Sequence, residues 1–145
     1  MIPLLAIFLV IASAFVHYEF LEHMNRWLPK LRIGPPRASV LLAVLGTFLS
    51  HFCQVLLFAG AYFGVQMLKG GEFDGQVEQA SFGALLYFSA ETYTSLGFGD
   101  IFPLGEMRLL VGIESITGLL MISWSASFTF LQMLRFWEGK DRLDR

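Results

Sequence analysis

Long stretches of this sequence have no charge. No Asp, Glu, Lys or Arg occurs from residue 38 to 68 or from 115 to 134, and none occurs in the first 18 residues. A soluble fold covers its surface with charged side chains. A chain that is 55% hydrophobic with a mean hydropathy of +0.60 falls outside that class. The net charge of −2 at pH 7, with Lys and Arg in short clusters beside apolar runs, leaves no basic face for a nucleic acid. The one cysteine, Cys53, lies inside an apolar run; it excludes an intrachain disulfide and reads as a small buried hydrophobe. A signal peptide would need a basic start and a small-residue cleavage site, and the amino terminus has neither.

What the chain does have is apolar length. The runs 40–68 and 108–137 can each cross a hydrocarbon core of roughly 30 Å, which takes about 20 helical residues. A first helix over 1–28 crosses if it continues through His17, Glu19 and His23 to Arg26. Pro29, Pro35 and Pro36 break the chain into an interfacial linker, 29–39. A fourth apolar run, 79–90, bounded by Glu78 and Glu91, is too short to cross and leads into a Gly-rich segment, which points to a re-entrant helix and loop. The fold class is therefore an all-α membrane protein with three spans and a re-entrant helix. Basic residues cluster in 26–37 and 135–145, whereas 69–78 is net acidic. By the positive-inside rule the first two segments face the cytoplasm and the third lies outside, with the amino terminus outside and a short cytoplasmic tail over 138–145. This is a multi-pass protein of the plasma (inner) membrane, with the lipid bilayer as its surroundings. No regular arginine series marks a voltage sensor, and the short tail leaves gating to the filter, the last helix, protons, lipid or an unseen regulatory subunit.

The segment Thr92-Tyr93-Thr94-Ser95-Leu96-Gly97-Phe98-Gly99-Asp100 cannot leave its carbonyls unsatisfied in lipid. Gly97 and Gly99 can take positive φ freely, so carbonyls alternating with Leu96 and Phe98 can turn to one side and bind a hard cation. One chain supplies one wall of such a column, which calls for several copies around an axis. The run 94–100 resembles the potassium-channel signature of Thr-Val-Gly-Tyr-Gly-Asp type, and its flanks match: a short helix before it, an Ile101-Phe102-Pro103 turn after it, then a span. The chain is similar, over 40–137, to small bacterial ion-channel proteins with one pore loop per chain.

The resemblance implies a potassium-selective channel assembled as a homotetramer, with no enzymatic activity, no cofactor and K+ as the permeant ion. It implies an outer helix 40–68, a pore helix 79–93, a filter 94–100 and an inner helix 108–137. Filter residues would be Thr94, Ser95, Leu96, Gly97, Phe98 and Gly99, with K+ held at Ser95, Leu96, Gly97 and Phe98. Ser stands where Thr is usual, Leu where Val is and Phe where Tyr is, so a nonselective monovalent cation pore is the alternative, and a non-conducting regulatory subunit a further one. Pore-helix carboxyl ends would each offer about −0.5 of a charge to the cation. Glu91 and Asp100 either pair behind the filter or cap backbone amides separately. Gly118 falls at the family's hinge position or serves packing; with it Leu119, Ile122, Ala126 and Phe130 would face the cavity, with Phe130 as a gating constriction. Glu114 either lies near the outer interface or has a partner on a pore helix. His17, Glu19 and His51 form a buried network, a proton sensor or, least supported by spacing, a metal site.

Overall fold

The computed structural model describes residues 1–30, 36–75 and 81–143. The stretch 31–35 of the expected linker, and Gln79 and Ala80 at the expected start of the short helix, lie outside the described residues. Four helices and two short strands follow in the order α1 Ile2–Trp27, α2 Pro36–Met67, β1 Phe73–Gly75, α3 Phe82–Tyr93, β2 Ile101–Pro103 and α4 Met107–Leu143. Among the described residues, three helices are long and apolar enough to cross a membrane: Ile2–Trp27, Arg37–Met67 and Met107–Arg135. At 12 residues α3 extends only about 18 Å, well short of a hydrocarbon core.

Helix α1 begins with Pro3 in its first turn, where a missing N–H costs nothing, and ends with Arg26 at the electronegative end. Its buried positions, Ile2, Ala6, Leu9, Ser13, His17 and Leu21, recur every three or four residues and form one stripe. Leu4, Ile7, Phe8, Ile11 and Phe15 occupy the opposite side and stay exposed, as lipid-facing side chains do. Helix α2 starts at Pro36, four residues ahead of the sequence expectation. Lys69 stops it in the left-handed region (φ 53°), with Gly70 N–H donating to the Val65 carbonyl at 2.9 Å. Gly46 lets α1 come close: a Cβ there would press into the Met24 thioether, 2.7 Å from its sulfur.

The helices pack around α3. Ile2, Ala6 and Leu9 of α1, Phe58, Tyr62 and Val65 of α2, Leu85 and Phe88 of α3, and Met107 and Leu110 of α4 make one buried cluster. Tyr62, Phe73 and Phe88 meet edge to face with ring centroids 5.1–5.7 Å apart. In lipid, apolar contact alone drives little helix association, so this interlocking and the hydrogen bonds between helices carry it.

Three boundaries correct the sequence reading. The segment 101–103, read as a turn, is a strand that pairs antiparallel with β1, Gly75 opposite Ile101. The short helix starts at Phe82, with Ser81 as its cap. Helix α4 continues past Trp137 to Leu143, so most of the expected tail is helical.

Candidate functional site: a filter-like loop and its supports

The loop after α3 grows out of how that helix ends. The Thr94 hydroxyl donates to the Ala90 carbonyl at 2.8 Å, while Ser95 N–H and Leu96 N–H return to the carbonyls of Thr92 and Glu91 at 2.9 and 2.8 Å. Positive φ then falls on alternate residues: Ser95 at 58°, Gly97 at 57° and Gly99 at 79°. Alternating handedness keeps successive peptide planes from reversing as they do in a strand, so their carbonyls can line one side. The glycines were legible for this; Ser95 was not, since a left-handed L-residue costs roughly 1–2 kcal/mol. Its hydroxyl lies 2.9 Å from that of Ser115 on α4. Residues 94–99 are all exposed on the single chain, Leu96 by 60% and Phe98 by 65%.

Side chains behind the loop hold it. Glu91 Oε2 accepts the Phe98 N–H at 3.0 Å, and Asp100 Oδ1 accepts the Ile101 N–H at 3.1 Å. Of the two arrangements open to these carboxyls, the hydrogen bonds match separate capping of backbone amides. Phe98 has no hydroxyl to anchor, but its ring stacks on Tyr87 of α3, centroids 6.3 Å apart and planes within 4°. At the far end Gly75 (φ 140°) lies so close that a Cβ would overlap the Asp100 carbonyl oxygen, which ties the loop to the β1–β2 pair.

Glu114 finds its partners within the chain. Fully buried, its carboxyl accepts from the Tyr62 hydroxyl of α2 and lies 2.5 Å from Ser89 Oγ of α3, which is also 2.9 Å from the Val55 carbonyl. The interface explanation therefore gives way to the pore-helix partner.

On α4 the helix runs unbroken through Gly118, where a Cβ would overlap the carbonyl oxygen of Tyr93. Close packing against the end of α3 accounts for this glycine. Leu119, Ala126 and Phe130 are exposed. Ile122 is also exposed and lines an apolar hollow of about 470 Å³ with Phe48, Phe52 and Val55 of α2 and Leu86 and Tyr93 of α3.

His17 and His51 do come together, their rings 5.3 Å apart. Their partners are Ser50, Gln54, Tyr93 and Ser125, drawn from three other helices around α1. Glu19 is a correction: it sits away from this group, partly exposed, beside His23, whose Nδ1 donates to the Glu19 carbonyl at 2.9 Å. Among the described residues no three His, Cys, Asp or Glu side chains converge as a metal site. Sequence reasoning missed Gln54, Tyr93 and Ser125. A lone Gln inside an apolar span was the available signal, because a polar group there must find a partner.

The comparisons agree with this geometry. A family model described as "Ion channel" matches residues 38–135, which includes all but the first two residues of α2, the loop and the apolar part of α4. The inward rectifier potassium channel Kirbac3.1 of Paramagnetospirillum magnetotacticum is 26% identical over 89 residues, 61% of this chain and 30% of that protein. Helix α1 lies outside the family match. With well over half of its length matched and three apolar helices around a re-entrant one, the chain belongs to the ion channel family of the potassium-channel superfamily and is a multi-pass membrane protein.

Proposed function

We propose that this protein is a potassium-selective channel formed by four copies, with K+ dehydrated and held by the backbone carbonyls of residues 95–98 and by the hydroxyl of Ser95, with Thr94 closing the helix beneath it. The alternation of positive φ at Ser95, Gly97 and Gly99 on an exposed loop carries this reading. A single chain offers one quarter of a carbonyl ring, and a K+ ion needs the ring to replace its water. The carboxyl ends of four α3 helices would add negative potential beneath it. Potassium is in the name of the relative matched over 89 residues, though that match spans under a third of the relative's length.

Glu91 and Asp100 would hold the filter backbone, and Phe130, exposed on α4, would narrow the opposite end of the pore as a dewetting gate. The amino terminus would lie outside and the end of α4 in the cytoplasm, with the basic segments on the inner side. One observation favours a looser, nonselective monovalent cation pore: Phe98 has no hydroxyl to fix it, and it relies on ring stacking with Tyr87.

Purified protein in liposomes should pass K+ or Rb+ down a gradient and be blocked by Ba2+. Reversal potentials in mixed K+ and Na+ then decide between the two pores. Absence of any cation flux would overturn both and leave a non-conducting subunit.

A further inference from the structure

The side chains around the two histidines close into a ring whose hydrogen bonds can be counted proton by proton. Tyr93 OH donates to Gln54 Oε1 at 2.6 Å, which uses its one proton. His51 Nδ1, 2.9 Å from the Tyr93 hydroxyl oxygen, must therefore donate to it. His51 Nε2 then accepts, and its neighbour at 2.9 Å is the Ser125 hydroxyl. Ser125, having donated, accepts from His17 Nε2 at 3.3 Å. His17 Nδ1 accepts in turn from Gln54 Nε2 at 3.0 Å, which completes the circle. The second N–H of Gln54 goes to Ser50 Oγ at 3.3 Å. Every member donates once and accepts once around the ring, and all five bonds join different helices. Exchanging the oxygen and nitrogen of the Gln54 amide reverses every bond, and the two imidazoles still carry their protons on opposite nitrogens.

This ring is full. His17 and Gln54 have no accessible surface and Tyr93 has 1%, so water cannot substitute for a broken bond at these three, while His51 is partly exposed at the apolar hollow described above. An extra proton on either imidazole makes both of its nitrogens donors: on His51, Nε2 then faces the Ser125 hydroxyl that had donated to it, and on His17, Nδ1 then faces the Gln54 N–H, with Ser50 Oγ at 3.1 Å as its remaining neighbour. The titratable groups facing the ring are its own: His17 from α1, His51 from α2 and Tyr93 from α3. Helix α4 contributes neutral Ser125 and Trp124, while its Glu114 bears on Tyr93 electrostatically. Tyr93 is the residue on which the filter stands. It ends α3, its carbonyl packs on Gly118, and the chain continues directly through Thr94 into Ser95.

We propose that His17, on the helix outside the family match, is a positioning residue for the filter: it closes a one-way ring of five hydrogen bonds that fixes Tyr93, and one proton taken up by the ring opens it and releases the base of the filter. The consequence for flux rests on the conduction reading above; the ring itself does not. Two measurements test the proposal. Nitrogen-15 NMR of ring-labelled histidines in liposomes at pH 7.5, with His23 assigned through His23→Asn, should show two neutral imidazoles of opposite tautomer. K+ flux should fall about fivefold between pH 7.5 and pH 3.5, the factor carried by about one interhelical hydrogen bond. Ser125→Ala and Tyr93→Phe each cut the ring without removing a histidine, and both should give the low flux already at pH 7.5.

Like tautomers, or a charged ring at pH 7.5, would overturn the ring. Flux profiles of Ser125→Ala and Tyr93→Phe that superimpose on the wild type would overturn its hold on the filter. A wild type that passes no K+ at any pH would sink the conduction reading alone, with the tautomers still deciding the ring. The tautomer measurement needs no ring variant, so a substitution that fails to fold leaves the test standing.

Discussion

Gly118 and Tyr93 meet backbone to backbone: the α carbon of the glycine lies so near the tyrosine carbonyl that no side chain fits between them. The last helix thereby reaches the end of the short one directly. The spot is shared with the filter and the histidine ring, since Tyr93 also bonds Gln54 and His51 and leads into Ser95 through Thr94.

Replacing Gly118 with Ala should therefore push α4 away from α3 rather than alter a hinge. Forcing a methyl into a packed contact costs roughly 1–3 kcal/mol, and a backbone neighbour cannot rotate aside. Thermal unfolding in detergent should shift down by several degrees, and K+ flux should drop with it. A variant of unchanged stability whose only change is in open probability would restore the hinge.

Glu114 gives a prediction that separates charge from hydrogen bonding. Its neighbours Tyr62 and Ser89 are held on α2 and α3, so Glu114→Ala leaves buried hydroxyls unpaired at about 1–3 kcal/mol each. Glu114→Gln should be nearly neutral. The amide oxygen can accept from Tyr62 and the amide N–H can donate to Ser89, whose own proton stays on the Val55 carbonyl. Equal losses in both variants, read by unfolding temperature, would mean that the carboxyl itself is needed.

The Glu91 carboxylate should behave as a backbone anchor. Glu91→Gln keeps an oxygen for the Phe98 N–H, whereas Glu91→Ala leaves that N–H without its partner. Single-channel recordings should show the alanine variant closing more often at the filter and the glutamine variant close to wild type. Wild-type behaviour in both would show that Phe98 is held by its stacking on Tyr87 alone.

What the sequence disclosed and what it hid follow physical lines. The spans were legible because charge is absent over lengths that match a bilayer, and the loop because Gly-x-Gly allows a backbone few other residues adopt. The β1–β2 pair was hidden because three residues are too few to show an alternating pattern. The histidine ring was hidden for another reason: its members come from four helices, and Gln54 or Ser125 taken singly is an ordinary packing residue. Glu19 was a misreading that spacing could have prevented. Side chains two apart on a helix point about 200° away from each other, so Glu19 could not share the buried face of His17.

Ser95 bears on how strictly the pore selects, and its backbone reverses the obvious substitution. Ser95→Thr restores the residue usual in the potassium-channel signature, which by sequence alone should sharpen selectivity. Here the residue has φ of 58°. Threonine is branched at Cβ, which makes the left-handed region more costly than the roughly 1–2 kcal/mol it costs other L-residues. Its added methyl also crowds the approach to Ser115, 2.9 Å away across the hydroxyls. The threonine variant should therefore lose K+ flux by about tenfold, the factor that about 1.4 kcal/mol represents. Ser95→Gly should relieve the backbone but forfeit the inner hydroxyl, and so conduct with a lower preference for K+ over Na+. Reversal potentials and flux on the two variants check both halves. A threonine variant that conducts fully and selects better would mean that Ser95 leaves the left-handed region when the four chains close around the ion.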